Sequence, residues 1–333
     1  MAELRRDPIV GRWVIVDTDH PSAPGDFKYE QNIQKGGTCP FCYGNEAMTP
    51  PEIDVFREGG TAPNTSGWQV RVVPNKFPAL GVEGELNRRP LGLYDMSNGI
   101  GAHEVLIETP YHAKDICDLL PQEVENYLKM CCRRAVDLAK DKRFKYLMFF
   151  RNFGSAAGAS LEHPHTQIVA LPMVPKNALE EIHGAKSYFD YRERCIFCDI
   201  IRQETQEKNR IILENKYFIS FCPFVSRFPF EIWIMPKKHS GHFCYMPPEE
   251  IAALAVILKD TIAKIKKVFV NLSYNYIIHS APINGDGEVE YYHWHIEFMP
   301  KLTQTAGFEW GTGFYIDPTS PELAAQYLKG IKE

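Results

Sequence analysis

Apolar positions in this chain recur with two different periods. In "PQEVENYLKMCCRRAVDLAKD", residues 121–141, Val124, Leu128, Cys131, Ala135 and Leu138 fall three or four apart, and Ile251, Leu254, Leu258, Ile262 and Ile265 repeat that spacing later in the chain. This period lays one apolar stripe along a helix. Both stretches open on proline with acidic residues close behind, as a helix N-terminus does. Other segments are short, rich in β-branched and aromatic residues, and bounded by Gly, Pro or Asn: "QVRVV" (69–73), "HEVLIE" (103–108), "YLMFF" (146–150), "QIVAL" (167–171), "RIILE" (210–214), "FEIWIM" (230–235) and "WHIEFM" (294–299). They predict strands of antiparallel sheet.

The order of these segments repeats. A C-x-x-C, an Asn-Lys-aromatic element, a strand running into Pro and His, a long helix and a His-x-His strand occur in that order twice. In the first series they are "CPFC" (39–42), "PNKFPAL" (74–80), "HEVLIETPYH" ending at His112, and "HPH" (163–165). The second has "CIFC" (195–198), "ENKYF" (214–218), "FEIWIMPKKH" ending at His239, and "HWH" (293–295). From His112 to His163 is 51 residues and from His239 to His293 is 54. Self-similarity of this kind marks a duplicated unit. The expectation is an α+β fold of two such units, residues 1–175 and 176–333, each an antiparallel sheet with a covering helix. The stretch 172–194 bridges them, and the first unit carries an insertion around residues 80–101.

Composition narrows what such a chain can do. With 44% hydrophobic and 24% charged residues over 333 positions it reads as a globular protein. A formal charge of −5 with interspersed signs provides no basic stripe for a nucleic-acid backbone. The opening "MAELRRDPIV" carries no apolar signal region and the longest apolar run, "IAALAVIL", is eight residues. The expectation is a cytoplasmic protein with no membrane span and no nucleic-acid partner. Nine cysteines in such a setting favour thiolates over disulfides.

Zinc takes about four soft or borderline ligands in a tetrahedron, and a C-x-x-C turn supplies two of them. The repeat delivers the set twice: Cys39, Cys42, His112 and His163, then Cys195, Cys198, His239 and His293. Four protein ligands leave no open position, so both zinc sites are expected to be structural. Neither cysteine pair has the βαβ context of a redox C-x-x-C. Cys117, Cys131, Cys132, Cys222 and Cys244 fit packing roles. His20, His103, His183, His242 and His279 read as surface or satisfied core residues, but His279 precedes "SAPINGDGE" near the HWH strand, and its role and that of His295 are left open.

In "NFGSAAGASLEHPHTQ", His163 is expected on the metal while Pro164 directs His165, two residues on along a strand, to the same side. An imidazole with one nitrogen held by a carbonyl offers the other as a nucleophile toward phosphorus. The Gly/Ser-rich stretch, with Gly158, lets backbone N–H groups approach phosphate oxygens, and Asn152 and Ser160 add side-chain donors. Gln167 shares the strand face with His165.

The string "RNFGSAAGASLEHPHTQ", with the upstream C-x-x-C and "TPYH" and the tail "GFEWGTGFYIDP", resembles the galactose-1-phosphate uridylyltransferase family of the histidine-triad superfamily. The resemblance implies two histidine-triad-like domains in a homodimer. It also implies ping-pong transfer of UMP from UDP-glucose to galactose 1-phosphate, with a nucleotide sugar and a sugar 1-phosphate as partners. It makes His165 the nucleophile, places His163 with Cys39, Cys42 and His112 on zinc, puts Gln167, Ser160 and Asn152 on phosphate oxygens, and places Asn75 in the nucleoside pocket. The intact second C-x-x-C and the tail resemble the branch that includes ADP-glucose phosphorylase, in which AMP passes from ADP-glucose to phosphate. Where family members carry Arg-x-x-Arg-Pro, this chain reads "DTDHPSAPGDF". Two further readings compete: a zinc-stabilised nucleotide binder without turnover, and a hydrolase, which more often carries a third histidine where Gln167 stands.

Overall fold

Alternating segments become strands and periodic ones become helices in the computed structural model, which describes residues 1–33, 36–57, 59–284 and 289–330. The first half comprises β1 (Glu3–Arg6), β2 (Trp13–Val16), β3 (Asp54–Arg57), β4 (Trp68–Pro74), a small hairpin of β5 (Arg89–Leu91) and β6 (Tyr94–Met96), β7 (Ala102–Ile107), α1 (Pro121–Leu138), β8 (Tyr146–Phe153) and β9 (His165–Leu171). Helices α2 (Lys176–Arg192) and α3 (Ile196–Glu207) lead to β10 (Ile211–Glu214), β11 (Phe218–Phe221), β12 (Ile232–Pro236), α4 (Pro248–Val268), β13 (Tyr274–His279) and β14 (His295–Pro300). The tail adds α5 (Gly307–Thr312), β15 (Tyr315–Asp317) and α6 (Pro321–Lys329).

Ten strands form one antiparallel sheet in the order β10-β11-β12-β14-β13-β8-β9-β7-β4-β3. Read inward from either edge, the two halves supply equivalent strands in the same order, so the duplication expected from the sequence is a pseudo-twofold arrangement. Its seam is the pairing of β8 with β13, where Tyr274 lies opposite Phe153 and Ile278 opposite Phe149. Strand alternation then divides the side chains. Leu106, Ile168, Ile232, Ile234 and Ile296 enter a continuous core with the apolar stripes of α1 and α4, which include Val124, Leu128, Leu254 and Leu258. Val105 and Ile107 point the other way, to pack with Cys39, Phe41 and Trp68. Trp233 and Met235 likewise turn to that second face, where Ile182 and Ala185 of α2 and Ile196 and Ile201 of α3 cover them. Helices α2 and α3 therefore lie over this face of the second half, with Ile9 from the start of the chain packed among them.

Some elements escape the sequence pattern. In β11 all four side chains are buried, so no alternation marks it. Strands β1, β2 and β15 form a separate sheet in which β15 runs parallel to β2, joining the two ends of the chain. The insertion contributes the β5–β6 hairpin, whose Leu91, Leu93 and Tyr94 are exposed.

Charges lie buried beneath the seam. Arg151, fully buried on β8, pairs with Glu108 at 2.8 Å and Asp115 at 2.9 Å. Asp115 also takes Lys266 of α4 at 3.0 Å and the Tyr274 hydroxyl at 2.7 Å. The Thr166 hydroxyl donates to Glu108 at 2.8 Å, and Tyr127 of α1 bonds to both Thr166 and Tyr276. Removing one member of such a network strands its partners' charges in a dry interior. Arg151→Met should therefore lower unfolding free energy by about 3–5 kcal/mol, read by chemical denaturation. Burial pushes the Asp115 carboxyl up, but Arg151 and Lys266 prevail and hold it below its ordinary 3.8. Its stabilising contribution is thus complete above pH 3.8 and lost as pH falls through the lower folded value. Stability measured across that acid range should show this loss in the wild type and not in Asp115→Asn.

Candidate active site and metal centres

Each C-x-x-C turn brings its sulfurs against two histidines from distant strands. One donor atom from each of Cys39, Cys42, His112 and His163 lies within 4.8 Å of the others, and Cys195, Cys198, His239 and His293 match this in the second half. His163 Nδ1 lies 3.7 Å from Cys39 Sγ and 3.6 Å from Cys42 Sγ, and His112 Nδ1 lies 3.4 Å from Cys42 Sγ. The second centre reproduces the geometry, with Cys198 Sγ 3.4 Å from His239 Nδ1 and 3.6 Å from His293 Nδ1. In both, the far nitrogen of the His-x-His leader is engaged by a carbonyl: His163 Nε2 with Thr109 at 2.8 Å, His293 Nε2 with Pro236 at 2.9 Å. That bond leaves Nδ1 free for an ion, an orientation typical of metal-binding histidine. Burial and the adjacent Cys39 push the Cys42 thiol up to about 11, so a bound cation is what would hold it as thiolate at neutral pH. Two sulfurs and two imidazole nitrogens converging on one point fit zinc.

Two residues beyond each leader stands a second imidazole. His165 Nδ1 is 2.8 Å from the His163 carbonyl oxygen, so Nδ1–H donates there and Nε2 keeps its lone pair. Burial lowers His165 below its ordinary 6.5, against the opposing pull of that carbonyl and of Glu108, so the ring is neutral at neutral pH. Phe41, inside the first C-x-x-C, meets the His165 ring edge-on at 5.5 Å between centroids. A cavity of about 500 Å³ opens over this point, with Asn75, Ser160, His165 and Gln167 among its walls. Its size suits a small organic ligand.

The glycine-rich loop behaves differently from the expectation drawn from its composition. The amides of Ala157 and Ala159 bond to the Gly154 carbonyl and that of Gly158 to Ser155, so these three are spent in folding the turn itself. Gly154 has φ +87°, and a Cβ there would meet the Ser273 hydroxyl at 2.2 Å, which explains glycine at this position. Asn152 and Gly158 are neighbours beside the cavity rather than part of its walls, and Asn152 Oδ1 accepts a bond from Asn275 at 2.8 Å.

The second half holds the same frame with other contents. His295 Nδ1 is 3.1 Å from the His293 carbonyl, but where Val105 pairs with Gln167 in the first half, Trp233 pairs with Glu297. The Trp233 ring stacks on His295 at 5.0 Å and His279 stacks on it at 4.7 Å. Glu181, His279, His295 and Glu297 also bring donor atoms within 4.8 Å of one another. These are already engaged with one another: His279 lies 3.2 Å from Glu181 and 3.3 Å from Glu297, and Arg227 pairs with Glu297. Burial alone would lower His279, but the two carboxylates raise it to about 10. His279 is thus a buried residue satisfied by two carboxylates, and Glu181 and Glu297 carried no sequence signal at all. His103 is the other omission: its Nε2 lies 2.8 Å from Gln167 Oε1 across the β7–β9 ladder.

Comparison with known proteins agrees with this geometry. Residues 181–309 match the family described as galactose-1-phosphate uridyl transferase, C-terminal domain, and residues 98–174 match one described as domain of unknown function (DUF4931), N-terminal domain. The ADP-glucose phosphorylase of Arabidopsis thaliana is 36% identical over 335 residues, covering 99% of this chain and 93% of that protein. The galactose-1-phosphate uridylyltransferase of Thermotoga maritima is 30% identical over 338 residues, covering 99% and 98%. The crystal structure of an ADP-glucose phosphorylase from Arabidopsis thaliana with bound ADP-glucose matches with a TM-score of 0.84 at 34% identity over 100% of both chains. A uridylyltransferase structure matches with a TM-score of 0.76 at 29% identity over 99% and 98%. The fold and these relatives make the chain an enzyme of the nucleotidyl-transfer type. The chain belongs to the galactose-1-phosphate uridylyltransferase family.

If both four-donor sets hold zinc, Cys42→Ser and Cys198→Ser should each reduce bound metal from two ions per chain to one. Elemental analysis of the purified variants reads the loss, and each should also melt at a lower temperature than the wild type.

Proposed function

We propose that this chain moves a nucleotidyl group from a nucleotide sugar through a covalent intermediate on His165. The observation that carries this is the His165 Nδ1 bond to the His163 carbonyl, which leaves Nε2 as a neutral nucleophile beside an open cavity. In the first step Nε2 forms a bond to the α-phosphorus while the bond from that phosphorus to the bridging oxygen breaks, and sugar 1-phosphate departs with the electron pair. In the second, an oxygen of the acceptor phosphate attacks the same phosphorus and the P–N bond breaks, restoring the imidazole. Gln167 and Ser160 donate to the non-bridging oxygens as charge moves onto them, with Asn152 and Gly158 shaping the loop on that side, and Asn75 lies by the nucleoside. Zinc at Cys39, Cys42, His112 and His163 anchors the strand that presents His165. Zinc at Cys195, Cys198, His239 and His293 holds the corresponding strand in the second half. In this reading residues 1–175 form the catalytic domain, residues 176–333 form a structural one, and the chain works as a cytoplasmic homodimer.

The donor is ADP-glucose and the acceptor phosphate. What supports this is the 36% identity to the phosphorylase of Arabidopsis thaliana and the complete second Cys/His set. Uridylyl transfer from UDP-glucose to galactose 1-phosphate, the first expectation from the sequence, is supported by the 30% identical enzyme of Thermotoga maritima.

Incubating the protein with ADP-glucose or UDP-glucose and weighing it intact decides between them. An AMP adduct that phosphate discharges, absent in His165→Ala, is the expected result. A UMP adduct would select the second reading, and no adduct from either donor in zinc-loaded protein would refute covalent transfer.

A further inference from the structure

We propose that His103 is a positioning residue that fixes which end of the Gln167 amide faces the reacting phosphate. The proposal rests on the reading of the cavity as a nucleotidyl-transfer site. His103 is not among the cavity walls, and it acts only through its neighbour. On β7 it lies two residues before Val105, the ladder partner of Gln167, so the His103 and Gln167 side chains meet diagonally on one face of the sheet.

The polarity of this contact follows from two backbone amides, which can only donate. The Ala79 N–H reaches His103 Nδ1 at 3.2 Å, so Nδ1 must present its lone pair, and the ring proton of the neutral imidazole resides on Nε2. That Nε2–H points at Gln167 Oε1, 2.8 Å away. With its oxygen taken, Gln167 turns its NH2 group to the cavity beside His165. The Phe77 N–H donates to Asn75 Oδ1 at 2.9 Å and fixes that amide in the same sense. Asn75 Nδ2, 3.0 Å from the same Nε2, can only donate, so it is the one contact of the three that this tautomer leaves unmade. The Gln167 amide thereby presents its donors where anionic oxygens arrive. The opposite imidazole tautomer would set Nδ1–H against the Ala79 N–H and let Gln167 turn its carbonyl inward, which repels a phosphoryl oxygen. An amide free to turn wastes much of its electrostatic effect, since a donor assists only if it is aimed before charge develops.

The test is a double-variant cycle read by the single-turnover rate of adduct formation. His103→Phe keeps a ring and removes the donor; the rate should fall by about 10–100-fold while the KM for nucleotide sugar changes less than about threefold. Gln167→Ala should lose at least as much, and the double variant no more than Gln167→Ala alone. His103→Gln, which can again donate to Oε1, should recover most of the rate if the loss in His103→Phe is orientational. Zinc content and melting temperature identify a variant that has simply misfolded. Multiplying losses, or an unchanged rate in folded His103→Phe, would overturn the proposal. Nitrogen-15 NMR of the resting wild type tests it without any turnover: His103 should be protonated at Nε2 and bare at Nδ1, and the reverse tautomer overturns it. Absence of adduct in the wild type would sink the transfer reading, while the tautomer would still decide the hydrogen-bond polarity.

Discussion

The antiparallel contact between β8 and β13 is the constraint on which the rest is arranged. It turns two five-stranded sheets into one, and the helices α1 and α4 then share one core instead of each capping its own. A seam made of main-chain bonds alone could slip in register; side-chain polarity prevents that here. Arg151 finds Glu108 and Asp115 from its own half and Tyr274 from the other, and none of these groups can be matched by water at that depth. Thr166, held by Glu108, is the residue next to His165. The charges that lock the halves together therefore also lock the strand that bears the His165 imidazole.

A second coupling operates on the other face of that strand. In the His-x-His arrangement the leader turns one nitrogen to the cysteine pair and gives its carbonyl to the next imidazole, so the side-chain anchor and the tautomer of the following ring are set by one residue. The imidazole lies at the edge of an open cavity in one half and under a tryptophan in the other, yet the backbone around it is the same. What differs lies above: α2 and α3 pack over the second half, and Trp233 stands at the ladder position that Val105 holds in the first.

Much of this was legible from the residues. Both cysteine pairs, their histidines, the long helices and the repeated order follow from local periodicity and spacing, which the chain must satisfy wherever its halves end up. The seam was not legible, because any of several apolar strands could have formed the edge and only the buried partners of Arg151 specify which one does. Strand β11 gives no alternation because both of its faces are covered, and β1, β2 and β15 are joined by contacts between the chain's two ends. At the site, His165 and Gln167 could be read from one hexapeptide. His103 could not: it is 64 residues from Gln167, and its orientation depends on the amide of Ala79 in a loop that carries no motif. The binding capacity of the Gly/Ser loop was overstated for a related reason, since composition shows that backbone amides can be approached and not that the turn has already used them.

The lid made by α2 and α3 has a consequence for how the two halves differ. A duplicated sheet starts with two equal openings, and the segment that joins the repeats narrows one of them to a cavity of about 320 Å³ with Glu181, Arg227, Trp233, His279 and Glu297 among its walls. The walls of that space satisfy one another: an indole stacked on His295, two carboxylates with the His279 imidazole between them, and Arg227 on one of the two. The connector thus makes two copies of one frame unlike, leaving one opening of about 500 Å³ walled by His165 and Gln167 and a smaller one walled by paired charges.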